Sequence, residues 1–79
     1  MFNINNIAYD PATRLYCCTC QCDTAAEAKE IAAKYVLSLH KAVGFTTELI
    51  SQGNTVILTG PDQKALATAA ILLNNSIYR

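Results

Sequence analysis

The chain has 79 residues, of which 52% are hydrophobic and 15% charged, and its six basic side chains balance six acidic ones. This length accommodates a single domain over residues 1–79 with one core, and the apolar excess favours self-association or a protein partner. The Lys and Arg side chains are scattered along the chain, so the sequence predicts no direct binding to nucleic acid.

The N-terminal segment, which begins Met1-Phe2-Asn3-Ile4, lacks the basic region and the apolar run of a signal peptide. No stretch approaches the ~20 apolar residues that span a bilayer. We therefore expect a cytoplasmic protein without membrane contact, whose cysteines are reduced.

The first elements form a predicted β-hairpin. Asp10-Pro11 favours a type I turn, because Asp bonds its own backbone and Pro presets φ. Apolar and β-prone residues lie on both sides of this turn, which predicts strands near residues 3–9 and 14–22, with Asn5-Asn6 as a candidate break or bulge in the first.

A long amphipathic helix is predicted next. Thr24 and Glu27 form a capping box at its start, and Gly44 suits the left-handed position just past its end. At about 100° per residue, one face carries the residues expected in the core: Ala28, Ile31, Ala32, Tyr35, Val36, Leu39, Ala42 and Val43.

The second half of the chain repeats the strand-strand-helix order. Residues 45–50 and 55–59 are apolar and β-branched around a tight turn at Gly53, which predicts a second hairpin with Phe45 facing inward. Pro61 suits the first position of a second helix, and Asp62 suits its first turn. The expected core stripe of this helix comprises Leu66, Ala69, Ala70, Leu73 and Ile77, and the polar run 74–76 is expected to fray it.

The order ββαββα predicts an α+β fold, a two-layer sandwich of one four-stranded antiparallel sheet with two helices on one face. The two halves share this order, but the offset that aligns their helices does not align the inward- and outward-facing residues of their strands. Any internal duplication is therefore architectural only.

All four cysteines lie in the run Cys17-Cys18-Thr19-Cys20-Gln21-Cys22. The sulfurs around one zinc ion lie roughly 3.8 Å apart, whereas residues i and i+2 of a strand are about 6.5–7 Å apart. The same spacing disfavours a disulfide, and His40 is the only histidine available to activate a thiol. We therefore expect neither a metal nor a cofactor.

The two-residue period of a strand divides the thiols between two faces. Cys18, Cys20 and Cys22 share one face and are expected to pack as small core residues beneath alanine-rich helices. Cys17 points to the opposite face and is the best candidate for a reactive thiol.

Three surfaces are candidate partner sites: a ridge of the first helix opposite its core stripe, the apolar end of the second helix, and the outer face of the sheet. Three consecutive aliphatic residues, 71–73, cannot share one helix face, which indicates a contact there. The candidate residues of the three surfaces are Ala33, Leu37 and His40; Ile71 and Leu72; and Cys17 and Ile57.

The sequence contains no phosphate loop and no recognisable carboxylate pair or catalytic constellation. It predicts a non-enzymatic protein–protein interaction domain, self-associating as a homodimer, that acts as an inhibitor or adaptor by occluding a partner protein. Phage-encoded anti-defence proteins such as anti-CRISPR inhibitors are similar in size and kind, an analogy of class without a shared motif. Two alternatives stay open: a thiol-based redox sensor or metal-binding module at Cys17 to Cys22, and a small-ligand-binding regulatory domain.

Overall fold

The computed structural model describes residues 1–77 and confirms the α+β fold with the order ββαββα. The strands are β1 (Ala8–Asp10), β2 (Leu15–Gln21), β3 (Glu48–Gln52) and β4 (Thr55–Gly60), and the helices are α1 (Ala25–Val43) and α2 (Gln63–Ile77). The strands form one four-stranded antiparallel sheet in the order β1-β2-β4-β3. β1 and β3 are therefore its edges.

Both helices pack on the same face of the sheet and contact each other, with α1 over β3 and β4 and α2 over β4 and β2. The core between these two layers combines small thiol and alanine side chains with larger aliphatic ones. Its buried members are Phe2, Cys18, Cys20, Cys22, Ala28, Ile31, Leu39, Leu49, Val56, Leu58, Leu66, Ala69, Ala70 and Leu73. Within residues 1–77, neither helix has the length and hydropathy needed to cross a membrane.

The N-terminal segment corrects the predicted strand at residues 3–9. Ile4–Asn6 form a 3₁₀ turn, and the Asn3 side chain accepts a hydrogen bond from the Asn5 N–H at 3.0 Å. Such local capping competes with strand pairing, so β1 has only three residues. Phe2 instead turns into the core, where its backbone pairs with the Asn74 side chain.

α1 begins and ends where its capping signals predict. The Thr24 hydroxyl accepts a hydrogen bond from the Glu27 N–H at 3.1 Å, and Gly44 follows the helix with a φ of 88°. The buried face is narrower than the predicted stripe, because Ala42 is exposed at its margin.

α2 corrects two details of the sequence prediction. Asp62 is the residue before the helix and caps it, since its carboxylate accepts a hydrogen bond from the Lys64 N–H at 3.0 Å. Pro61 therefore precedes the cap and does not occupy the first helical position. The helix continues to Ile77 without fraying at residues 74–76, because the Asn74 side chain is bonded to the backbone of Phe2.

The start of β3 is a further correction. The strand begins at Glu48, and Phe45, predicted to face inward, is 81% exposed. Thr47 occupies the inner position, where it is buried against Gly60 of β4. A Cβ atom at position 60 would lie only 3.1 Å from the Thr47 hydroxyl oxygen, so the two backbones approach closely at this point.

Candidate interaction surfaces

The cysteine run divides between the two faces of the sheet as the alternation predicts. Cys18 and Cys20 are 1% exposed, and the Cys18 thiol donates a hydrogen bond to the Asn3 carbonyl at 3.5 Å. Cys22 follows the end of β2 and is also buried. Cys17 is half-buried on the opposite face, so it is the thiol with the best access to solvent.

The surroundings of Cys18 and Cys22 favour the neutral thiol. Burial raises the pKa of Cys18, and the neighbouring Cys17 adds to the rise. Burial also raises the pKa of Cys22, to which Cys20 and Glu27 contribute. Among residues 1–77, no group of three or more His, Cys, Asp or Glu side chains is placed to hold a metal ion. The buried thiols therefore act as small apolar core groups.

Native thiol labelling tests this division. Incubating the folded protein with iodoacetamide near neutral pH is expected to add one group, at Cys17, because the other thiols are buried and those of Cys18 and Cys22 have raised pKa values. In denaturant, intact mass spectrometry should show all four cysteines labelled. A Cys17→Ser variant is the control and should gain no group in the native state; native labelling of a second thiol as fast as that of Cys17 would contradict the assignment.

The α1 ridge lies on the solvent side of the helix. Leu37 is 69% exposed, Ala33 is exposed, and His40 is half-buried at the end of the ridge. The His40 ring lies 5.0 Å from the ring of Phe45, centroid to centroid. A groove between α1 and β3 begins at this ring pair, and it is lined by Val36, His40, Phe45, Glu48, Leu49 and Ile50.

The end of α2 presents its two candidate residues on different sides. Ile71 is 45% exposed and Leu72 is 43% exposed, whereas the next residue, Leu73, is buried. Leu72 lines a groove between the helices together with Tyr35, Ser38, Leu39, Ala42, Leu73 and Ser76. Ile71 does not line that groove, so the two side chains do not form one patch.

The outer sheet face is the side of the sheet away from both helices. The strand register places Cys17 between Ala8 and Thr59, and it places Ile57 between Thr19 and Ile50. Facing residues of neighbouring strands share a side of the sheet. The full set on this face is Ala8, Asp10, Leu15, Cys17, Thr19, Gln21, Glu48, Ile50, Gln52, Thr55, Ile57 and Thr59.

This face has Ile57 near its centre, beside Ile50 and bordered by threonines, and its charged residues lie at the margin. Its only charged members among the described residues are Asp10 and Glu48, which lie on the two edge strands. At one end, Gln21 donates to the Asn54 side chain at 3.1 Å and accepts from the Thr55 hydroxyl at 3.3 Å. An uncovered face of an antiparallel sheet is usually polar, whereas protein interfaces combine an apolar centre with a polar rim.

No family model, curated protein or solved structure matches this chain. We therefore infer its function from its own surface residues. The outer sheet face unites two of the predicted residues, Cys17 and Ile57, with Ile50, which the sequence places outward but does not single out. The α1 ridge ends beside the same edge of the sheet, at Phe45, whereas Ile71 belongs to neither surface.

Phe45 is an exposed aromatic residue that the sequence pattern places in the core. Counting back from Leu49 in steps of two places Phe45 on the inner face. This count does not hold, because β3 begins at Glu48 and residues 45–47 lie outside the strand. No local pattern signals this change, because it depends on the packing of Thr47 against Gly60 across the sheet.

Proposed function

We propose that this chain is a non-enzymatic protein-binding module, an inhibitor or adaptor that covers a surface of another protein with its outer sheet face. The observation that supports this proposal is the uncharged centre of an uncovered sheet, where Ile57 lies beside Ile50 among threonines. Desolvating charged groups opposes association, and here the charges lie only at the margins. Binding therefore buries apolar atoms at a low desolvation cost.

The size of the molecule fits an occluding role. Its extents are 29 × 24 × 20 Å. One side of such a body is comparable with the ~800 Å² that each partner buries in a standard protein complex. A module of this kind acts by filling a partner's surface and needs no reacting group.

The margin indicates the chemistry of the partner surface. Asp10 and Glu48 place negative charge on the two edge strands, and no basic side chain of the described residues lies on this face. A complementary surface has aliphatic or aromatic groups opposite Ile57 and Lys or Arg opposite the two carboxylates. We expect this partner to be a protein with an apolar, basic-rimmed patch.

Retention of cellular proteins by matched variants tests the proposal. We expect Ile57→Lys to reduce retention of the partner at least tenfold, because it places an unpaired ammonium group in the uncharged centre of the interface. The immobilised chain is incubated with an extract of the cells that produce it, and retained proteins of other sequence are quantified by mass spectrometry.

Ile71→Lys is the matched control. It makes the same chemical change at a partly exposed side chain of α2, outside the outer sheet face. Wild type and Ile71→Lys should retain the same protein. Equal retention by Ile57→Lys, or loss with Ile71→Lys alone, would show that the outer sheet face is not the contact surface, and no specifically retained protein would contradict the function itself.

A further inference from the structure

β3 presents an open sheet edge. It pairs with β4 on one side, and no other strand of the described residues pairs with it on the other. It spans five residues, Glu48–Gln52, whereas the opposite edge strand β1 spans only three. Unpaired edges of this kind recruit further strands unless charge, proline or a covering segment blocks them. β3 has one charged residue, Glu48, and no proline.

The turn that joins β3 to β4 determines which backbone groups face the open edge. Gly53 and Asn54 form a two-residue loop, with Gly53 at a φ of 59°. In such a hairpin the flanking pair, here Gln52 and Thr55, is hydrogen-bonded, and hydrogen-bonded and non-hydrogen-bonded pairs then alternate along the ladder. The N–H and C=O groups of Leu49 and Ser51 consequently point away from β4, toward the open edge.

We propose that this edge pairs with the same edge of a second copy of the chain, antiparallel about a twofold axis at Ile50. In this register Leu49 faces Ser51 of the other copy, so the outward N–H and C=O groups oppose each other twice and form four hydrogen bonds. Ile50 faces its own counterpart on the axis, and Glu48 faces Gln52. No like charges are opposed.

Other antiparallel registers of the two β3 strands fit less well. A shift by one residue opposes inner and outer side chains, which the buried face forbids. An axis at Leu49 places Glu48 against Ile50, and an axis at Ser51 places Ile50 against Gln52. On the outer face, the axis at Ile50 is the register that matches apolar with apolar and carboxylate with amide.

The residues around the open edge of β3 also support pairing with a second copy of the chain. His40 of the α1 ridge and Phe45 line the groove beside β3, and Phe45 is 81% exposed. A continuous sheet across the axis brings the two copies of α1 closer on the helical layer, and Phe45 then loses water. The same arrangement joins two outer sheet faces, so the inference goes beyond binding of another protein and does not depend on it.

Light scattering after size-exclusion chromatography at about 100 µM tests the dimer. The wild type is expected at twice its mass of 8.6 kDa. Ser51→Pro should convert it to a monomer, because proline removes an edge-facing N–H while leaving the bonds to β4 intact. Ser51→Ala keeps that N–H and should stay dimeric. Ile50→Lys places two ammonium groups opposite each other on the axis and should also be monomeric. It replaces Ser51→Pro as the test if the proline variant does not fold.

Disulfide trapping tests the register. In a Cys17→Ser background, mild diamide oxidation should cross-link Ile50→Cys across the axis, where facing side chains lie within disulfide reach. Gln52→Cys should not cross-link, because its counterpart lies about 13 Å away along the strand. A monomeric wild type, a dimer that survives Ser51→Pro and Ile50→Lys, or cross-linking at position 52 alone would overturn the inference. None of these results would change the outcome expected of the retention experiment with Ile57→Lys, because that experiment detects a protein of other sequence.

Discussion

Replacing Phe2 with alanine is expected to lower the free energy of unfolding by about 3–4 kcal/mol, the usual cost of truncating a buried aromatic side chain. Phe2 is 2% exposed although it lies next to the N-terminus. The Asn74 amide accepts a hydrogen bond from the Phe2 N–H at 2.8 Å and donates one to the Phe2 carbonyl at 2.9 Å. Urea denaturation followed by circular dichroism measures the loss.

Two further variants show whether the segment acts as a unit. Ile4→Ala is the control two residues away, and because Ile4 is 41% exposed we expect it to cost less than about 0.5 kcal/mol. Asn74→Ala should cost about 1–2 kcal/mol for its two hydrogen bonds. The double variant Phe2→Ala/Asn74→Ala should lose less than the sum, since both residues hold the same segment. Equal losses from Phe2→Ala and Ile4→Ala would show that the segment is not docked.

Replacing Leu58 with alanine is expected to cost about 3–5 kcal/mol, because it leaves a cavity at the centre of the sheet. Leu58 is 0% exposed and lies between Cys18 of β2 and Leu49 of β3. A chain of this length has a total stability of about 4–12 kcal/mol. The variant therefore loses a large share of it, and thermal and urea unfolding should both shift clearly.

The neighbouring residue of the same strand is the matched control. Ile57 points to the outer sheet face and is only partly buried, so Ile57→Ala should cost about 1 kcal/mol. Both variants are measured at about 1 µM to limit association. Similar losses at positions 57 and 58 would contradict the assignment of one covered and one uncovered face.

The helices and the two faces of the sheet could be predicted because their signals are local. The Thr24 hydroxyl and Gly44 delimit α1 within one turn of its ends. The separation of Cys17 from Cys18 and Cys20 needs only the two-residue period of a strand. The same period places Ile57 on the outer sheet face.

The remaining features depend on residues far apart in the chain. The path of the N-terminal segment is set by Asn74. In the sequence this residue predicts fraying of α2, and only the structure shows its bonds to Phe2. The exposure of Phe45 depends on the close approach of Thr47 to Gly60. The strand order, which makes β3 an edge and places β4 beside β2, has no counterpart in local sequence pattern.

The bond between Phe2 and Asn74 also has a kinetic consequence, because it joins residues 72 positions apart. Closing a loop of that length costs about 4 kcal/mol of chain entropy, so we expect the contact to form after the sheet and α2 have assembled. A contact that forms late leaves the folding rate nearly unchanged and slows unfolding. The same segment accepts a hydrogen bond from the Cys18 thiol at the Asn3 carbonyl, so its release is expected to break that bond as well. The N-terminal segment therefore governs the lifetime of the native state more than the speed at which it is reached.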